Sequence, residues 1–268
     1  MPPVPRRTPA DPLATERLGE GGRLVLVHGF TQTGRSWGAV ANELAPRHEV
    51  VTVDLPGHGR SAGVAARDLA EAGELVAEAG GGGTYVGYSM GGRVSLHAAF
   101  VRPELVRRLV LVGAHPGIAD AAELERRRRD DEALATRLAP AGGGGPTLEA
   151  FLAEWLAAPL FAHLDEATAN VAARRENTTA GLAGALRTLG TGTQRYDPAR
   201  LRALAMPVLV VAGSLDSAYT SIGQDLAATI GANATFAPLP GVGHAAPFEA
   251  PGPFAALVEA WLALPGSP

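Results

Sequence analysis

The sequence predicts a doubly wound, mostly parallel α/β sheet with a helical cap inserted into it. Three observations carry this expectation. Short Val- and Leu-rich runs recur along the 268 residues, each bounded by turn residues. Helical patterns alternate with them. The alternation then stops over 113–202 and resumes afterwards. Strands buried on both faces of a parallel sheet need consecutive apolar residues, and alternation of strand with helix is what winds such a sheet.

Residues 1–20 read as a flexible lead-in, because four prolines fall within the first nine positions and no apolar signal-like stretch follows. Strands are expected at 24–28 (LVLVH), 50–55 (VVTVDL), 85–88, 109–112 (LVLV), 208–212 (VLVVA) and near 235–239. Core helices are expected at 36–45, with Ser36 as N-cap, and at 64–79, 90–100, 221–230 and 253–264. Between them lie helical patterns at 121–138, 148–156, 166–174 and 179–189, broken at GGGGP (142–146), at 158–159 and at 190–193. These boundaries predict a core over 21–115 and 202–268 and a cap over 116–201, with GGGGP as a hinge inside the cap.

Composition narrows the function classes. Hydrophobic residues make up 46% of the chain, enough for a large core. A net charge of −4 lacks the basic excess of a nucleic-acid binder. The chain has no cysteine, so disulfides, thiolate chemistry and Cys-ligated metals are excluded, and a cytoplasmic location is expected. No stretch reaches the roughly 18 apolar residues of a membrane span, so no membrane partner is expected. A monomer or small homo-oligomer is the expected state.

The chemistry-bearing motifs sit where strands end. GYSMG (87–91) matches G-x-S-x-G, follows the strand TYVGY and opens the helix MGGRVSLHAAF. That context makes Ser89 the nucleophile-elbow serine, with glycines on both sides allowing the sharp turn. LVHGF (26–30) suits an oxyanion loop, with Phe30 and Met90 supplying the two N–H donors. Asp216 follows the strand VLVVA, and His244 lies in GVGHAAPFE between the last strand and helix. Ser89, Asp216 and His244 therefore occur in the chain order of the α/β-hydrolase triad. DLPGHGRS (54–61) belongs to the same set, its His58 and Arg60 read as structural turn residues. Through these motifs the chain resembles the α/β-hydrolase superfamily over nearly its whole length.

Arg93 follows the elbow on the first turn of its helix, where an enzyme for apolar esters has little use for a cation. ELERRRRDDE (123–132) reads as a self-paired helix face through Glu123–Arg127, Glu125–Arg129 and Arg126–Asp130. Four adjacent positions cover about 300° of a helix, so at least one arginine must face inward.

Together LVHGFTQTGRSW, DLPGHGRS, GYSMGGR, the arginine-rich helix, FLAEWLAAPLF (151–161) and RRENTTAGLAGALRTLGTGTQ (174–194) resemble the 2-succinyl-6-hydroxy-2,4-cyclohexadiene-1-carboxylate synthases of menaquinone biosynthesis. That resemblance implies a lyase that removes a proton and expels pyruvate, with Ser89 as base and no metal or cofactor. It also implies arginines for a polycarboxylate small-molecule substrate: Arg93, then Arg127 with Arg129 as alternative, then Arg174 with Arg175 as alternative. Tyr88 and Trp155 would line the pocket. Two positions depart from the family pattern: Pro247 stands where a second histidine is usual, and Ala218-Tyr219 where Lys-Phe is usual. The competing expectation is a serine hydrolase for a small ester, thioester or C–C bond, using the same triad through an acyl-enzyme.

Overall fold

The computed structural model describes residues 13–165 and 168–264. Seven strands form one sheet: β1 (Thr15–Leu18), β2 (Gly22–Val27), β3 (His48–Val53), β4 (Gly83–Tyr88), β5 (Val106–Val112), β6 (Val208–Gly213) and β7 (Ala234–Leu239). Their order is β1-β3-β2-β4-β5-β6-β7, parallel throughout except that β1 runs antiparallel to β3.

Core helices cover both faces. They are α1 (Gly38–Leu44), α2 (Leu69–Gly80), α3 (Met90–Val101), α9 (Ser217–Ile230) and α11 (Pro251–Leu262). Side chains alternate along each strand, so β2 sends Val25 and Val27 into one core and Leu24 and Leu26 into the other. The first core takes Leu75 of α2, Val94 of α3 and Leu226 of α9; the second takes Val40 of α1 and Phe254 of α11. Trp37, fully buried, anchors the second core against Phe248 and Phe254.

Between β5 and β6 lie α4 (Ala121–Leu138), α5 (Leu148–Leu156), α6 (Val171–Arg174), α7 (Thr179–Leu189) and α8 (Pro198–Arg202). The four-residue α10 (Ala246–Glu249) precedes α11. Helices α4, α5 and α7 share an apolar cluster of Ala135, Leu138, Phe151, Leu152, Leu182 and Leu186, against which Phe30 and Trp155 pack. No helix among the described residues is long and apolar enough to cross a membrane.

The sequence reading needs correction at several ends. Of the lead-in, 1–12 lie outside the described residues, but Thr15–Leu18 form β1, held by pairing with β3 rather than by any apolar pattern of its own. Ser36 caps no helix; it sits inside a 3₁₀ turn (Gly34–Trp37) that precedes α1. The helix expected from 64 begins at Leu69, where Asp68 accepts from the Glu71 amide at 2.9 Å. The helix expected from 221 begins four residues earlier, because Asp216 caps it through the Tyr219 amide. Of the helix expected over 166–174, residues 166 and 167 lie outside the described residues and only Val171–Arg174 are helical.

Candidate active site

Ser89 occupies the turn between β4 and α3 with φ 51° and ψ −113°. A non-glycine residue held at positive φ is strained, and here the surroundings dictate it. The Ser89 amide donates to Val112 O at 2.8 Å. A side chain at Gly91 would overlap the Val27 and His28 carbonyl oxygens, and one at Gly87 would overlap the backbone of Gly91 and Gly92. The elbow is thus wedged between β2 and β5, and only glycine fits on either side of the serine.

His244 and Asp216 reach Ser89 from two other strand ends. His244 Nε2 lies 3.4 Å from Ser89 Oγ, and His244 Nδ1 lies 2.8 Å from Asp216 Oδ2. Catalytic hydrogen bonds of this length in a free enzyme tighten when substrate binds. Burial is the largest influence on the Asp216 carboxyl and pushes its pKa up, but the bonds from His244 and the Tyr219 amide outweigh it and hold it below the usual value. The His244 loop is fixed by Glu249, whose carboxylate accepts from the amides of Gly243 at 2.6 Å and Ala245 at 3.0 Å.

A cavity of about 110 Å³ opens on Ser89. Phe30 and Met90 line it, as do Tyr88, Arg93, Arg127, Trp155 and Arg174. All ten residues singled out from the sequence are therefore together, counting Asp216 and His244 behind Ser89. Arg129 and Arg175 are exposed and do not border the cavity, so Arg127 and Arg174 are the members of each pair that face it. The expected ion pairs of the arginine run are replaced by others: Arg127 Nε bonds Asp131 at 3.0 Å, and Arg128 bonds Glu125. Asp131 is the reason, since it is buried and also accepts from the Gly192 amide at 2.9 Å.

The three arginines differ in how they are held. Arg93 is buried, and its Nη1 has no hydrogen-bond partner among the described residues. Burial lowers its pKa to about 10, which leaves it charged at neutral pH. Arg174 is buried and likewise lowered to about 10 by burial. It donates through Nε to Ala169 O at 2.7 Å and through Nη1 to Thr31 Oγ1. Arg127 is about half exposed.

Several further residues shape the site. Gln32 accepts from the Gly29 amide at 2.9 Å and so shapes the loop that carries Phe30. Asn177 donates to Thr31 O at 2.7 Å and to Arg174 O at 3.0 Å, and accepts from the Gly59 amide at 2.9 Å. Thr31 itself has φ 68°. His28, pushed down to about 4 by burial, is neutral: its Nε2 accepts from the Leu55 amide at 3.0 Å, so Nδ1 donates to Gly29 O at 2.8 Å. His58 and Arg60 sit in the neighbouring turn, where the Asp54 carboxylate accepts from the Arg60 amide and Nε. Tyr219 lies with its ring 4.4 Å from that of His244. Among the described residues no cluster of His, Asp and Glu has the arrangement to hold a metal ion.

Comparison with known proteins identifies the family and the fold. A profile of the alpha/beta hydrolase family matches residues 24–257. A 2-succinyl-6-hydroxy-2,4-cyclohexadiene-1-carboxylate synthase of Serratia proteamaculans is 32% identical over 266 residues, covering 95% of this chain and 100% of that one. One from Klebsiella pneumoniae is 33% identical, covering 77% of this chain and 82% of its own. The solved structure of MenH from S. aureus superposes with a TM-score of 0.82 at 26% identity, covering 92% of this chain and 97% of that one. A malate-bound thermophilic esterase from Thermogutta terrifontis gives 0.75 at 25% identity, covering 93% and 92%. On the profile match and on relatives above 30% identity across most of its length, the chain belongs to the alpha/beta hydrolase family and, within it, to the 2-succinyl-6-hydroxy-2,4-cyclohexadiene-1-carboxylate synthases.

Proposed function

We propose that this enzyme is a lyase that eliminates pyruvate from a carboxylate-rich cyclohexene precursor to give 2-succinyl-6-hydroxy-2,4-cyclohexadiene-1-carboxylate. The observation that carries the reading is the buried Arg93 guanidinium, whose Nη1 is unpartnered among the described residues, in the same small cavity as Ser89, Arg127 and Arg174. A buried charge without a protein partner is costly unless a ligand completes it. Three guanidiniums around so small a volume match a polycarboxylate and reject an apolar ester.

The mechanism follows from the positions of the donors. His244, oriented by Asp216, takes the Ser89 Oγ proton. Ser89 Oγ then removes the acidic proton beside the substrate's carbonyl, and that electron pair moves onto the carbonyl oxygen. The Phe30 and Met90 amides stabilise the enolate-like oxygen. Its collapse forms the new ring double bond and breaks the C–O bond, and pyruvate leaves as its enolate, which recovers a proton. Arg93, Arg127 and Arg174 hold the carboxylates throughout, and Tyr88 and Trp155 shape the walls. Ser89 makes no covalent bond to substrate.

Purified enzyme given the precursor is expected to release pyruvate, followed as NADH loss through lactate dehydrogenase. Arg93→Ala is expected to lower kcat/KM about a hundredfold, the worth of a buried charge-assisted bond or two. Unchanged turnover in Arg93→Ala would sink the carboxylate role. The esterase likeness favours one second reading, a serine hydrolase for a small anionic ester. A nitrophenol burst and stable fluorophosphonate labelling, with no pyruvate from the precursor, would move the assignment there.

A further inference from the structure

Acceptors around the cavity are already engaged. The Asp131 carboxylate takes bonds from Arg127 Nε and the Gly192 amide. Asp216 takes bonds from His244 through one oxygen and from the Tyr219 amide through the other, at 3.1 Å. Gln32 Oε1 takes the Gly29 amide. Several donors on the cavity lining are left over among the described residues. Arg93 Nη1 and Trp155 Nε1 are buried without a hydrogen-bond partner. The Tyr219 hydroxyl bonds no described residue either, and its ring lies against His244.

Tyr219 is held in place by the triad itself. Asp216 caps α9 through the Tyr219 amide, so one carboxylate orients both the His244 ring and the Tyr219 backbone. The two rings lie 4.4 Å apart at 52°. Burial raises the phenol pKa against the pull of Arg93 and Arg127, so the hydroxyl stays protonated. A neutral phenol beside two guanidiniums donates; it does not compete with the substrate for their charge. A cavity with surplus donors, whose carboxylates are already bonded, calls for an acceptor on the ligand.

We infer that the Tyr219 hydroxyl and Arg93 Nη1 form a donor pair for one carboxylate of the substrate, next to the reacting centre. Tyr219 is thus a substrate-binding residue that fixes which carboxylated compounds seat against His244. This rests on the proposed polycarboxylate reading of the cavity. A phenylalanine at this position keeps the ring against His244 and removes only the donor.

The test is Tyr219→Phe, read in two ways. In pyruvate release, KM is expected to rise about tenfold, the worth of one bond to a charged acceptor, with the melting temperature unchanged. In parallel, binding of succinate is titrated by tryptophan fluorescence, with its neutral diamide as control. Succinate affinity is expected to weaken about tenfold in Tyr219→Phe, and diamide binding to stay the same. Combining Tyr219→Phe with Arg93→Lys should give less than the sum of the single effects, because both act on one carboxylate. Equal succinate affinity and equal KM in wild type and Tyr219→Phe overturn the inference. Absence of pyruvate release from the wild type overturns the reaction instead, and the succinate titration then decides Tyr219 by itself.

Discussion

The two walls of the cavity are built by different means. On the sheet side, Ser89 and Asp216 sit on turns fixed by backbone bonds, Ser89 N to Val112 O and Asp216 N to Gly213 O, while the His244 loop also relies on one side chain, the Glu249 carboxylate. On the helical side, between β5 and β6, the groups hang on side-chain links. Arg127 leans on Asp131, and Arg174 and Asn177 are tied to Thr31. Backbone geometry changes only with the fold, whereas a side-chain link changes with one substitution. In the proposed reading the sheet wall therefore supplies the proton-transfer apparatus together with Arg93 and Tyr219, and the helical wall adds Arg127 and Arg174 to substrate binding.

The largest expected effect tests the sheet wall. Ser89→Ala should cut pyruvate release at least about a thousandfold, as removal of a reacting triad atom does. The melting temperature should hardly move, since the turn is held by the Val112 bond and the flanking glycines and not by the hydroxyl. Retention of a tenth of the wild-type rate would place the chemistry elsewhere and end the division between the walls.

Asn177 joins the walls, and its removal tests that joint. Its side chain bridges Thr31 O, the Gly59 amide and Arg174 O, and Thr31 directly follows the proposed donor Phe30. Asn177→Ala leaves the Gly59 amide and Thr31 carbonyl unsatisfied in a buried place, at about 1–3 kcal/mol of stability. It also frees Thr31 from its positive φ and so lets the Phe30 amide turn. The expected kinetic result is a fall in kcat of about tenfold, larger than any rise in KM, because the Phe30 amide acts on charge that develops after binding. A rise in KM alone would confine Asn177 to substrate binding.

The same contrast decides what could be read from the sequence. Ser89, Phe30, Asp216 and His244 each lie within a few residues of the end of a strand, so their positions come with the strands. Arg93 comes with the elbow, four residues on. On the helical wall the spacing says that at least one of Arg126 to Arg129 faces inward but does not set the helix phase; buried Asp131 marks it, and its partner outside α4, the Gly192 amide, lies 61 residues away. Asn177 was silent for the same reason, since its partner Thr31 is distant in the chain; Tyr219 showed only as a departure from the family pattern, without its place beside His244. Strand β1 escaped because an edge strand with an exposed face has no apolar run.

Arg127 against Arg129 gives the smallest effect and the finest check on that phase. Successive helical residues turn by about 100°, so positions 127 and 129 point about 200° apart and cannot both border the cavity. Arg127 keeps about half its side chain in solvent, at 47%, which screens its charge, and its Nε is already given to Asp131. Its hold on a carboxylate is then worth less than that of buried Arg93, and Arg127→Ala should raise KM by about threefold to tenfold. It should also remove most of the salt dependence of KM, because Arg127 is the one solvent-screened cation of the three. Arg129→Ala should leave KM and its salt dependence within twofold of wild type. The reverse pattern would rotate α4 by half a turn relative to the cavity, and the Asp131 to Gly192 bond could not survive that rotation.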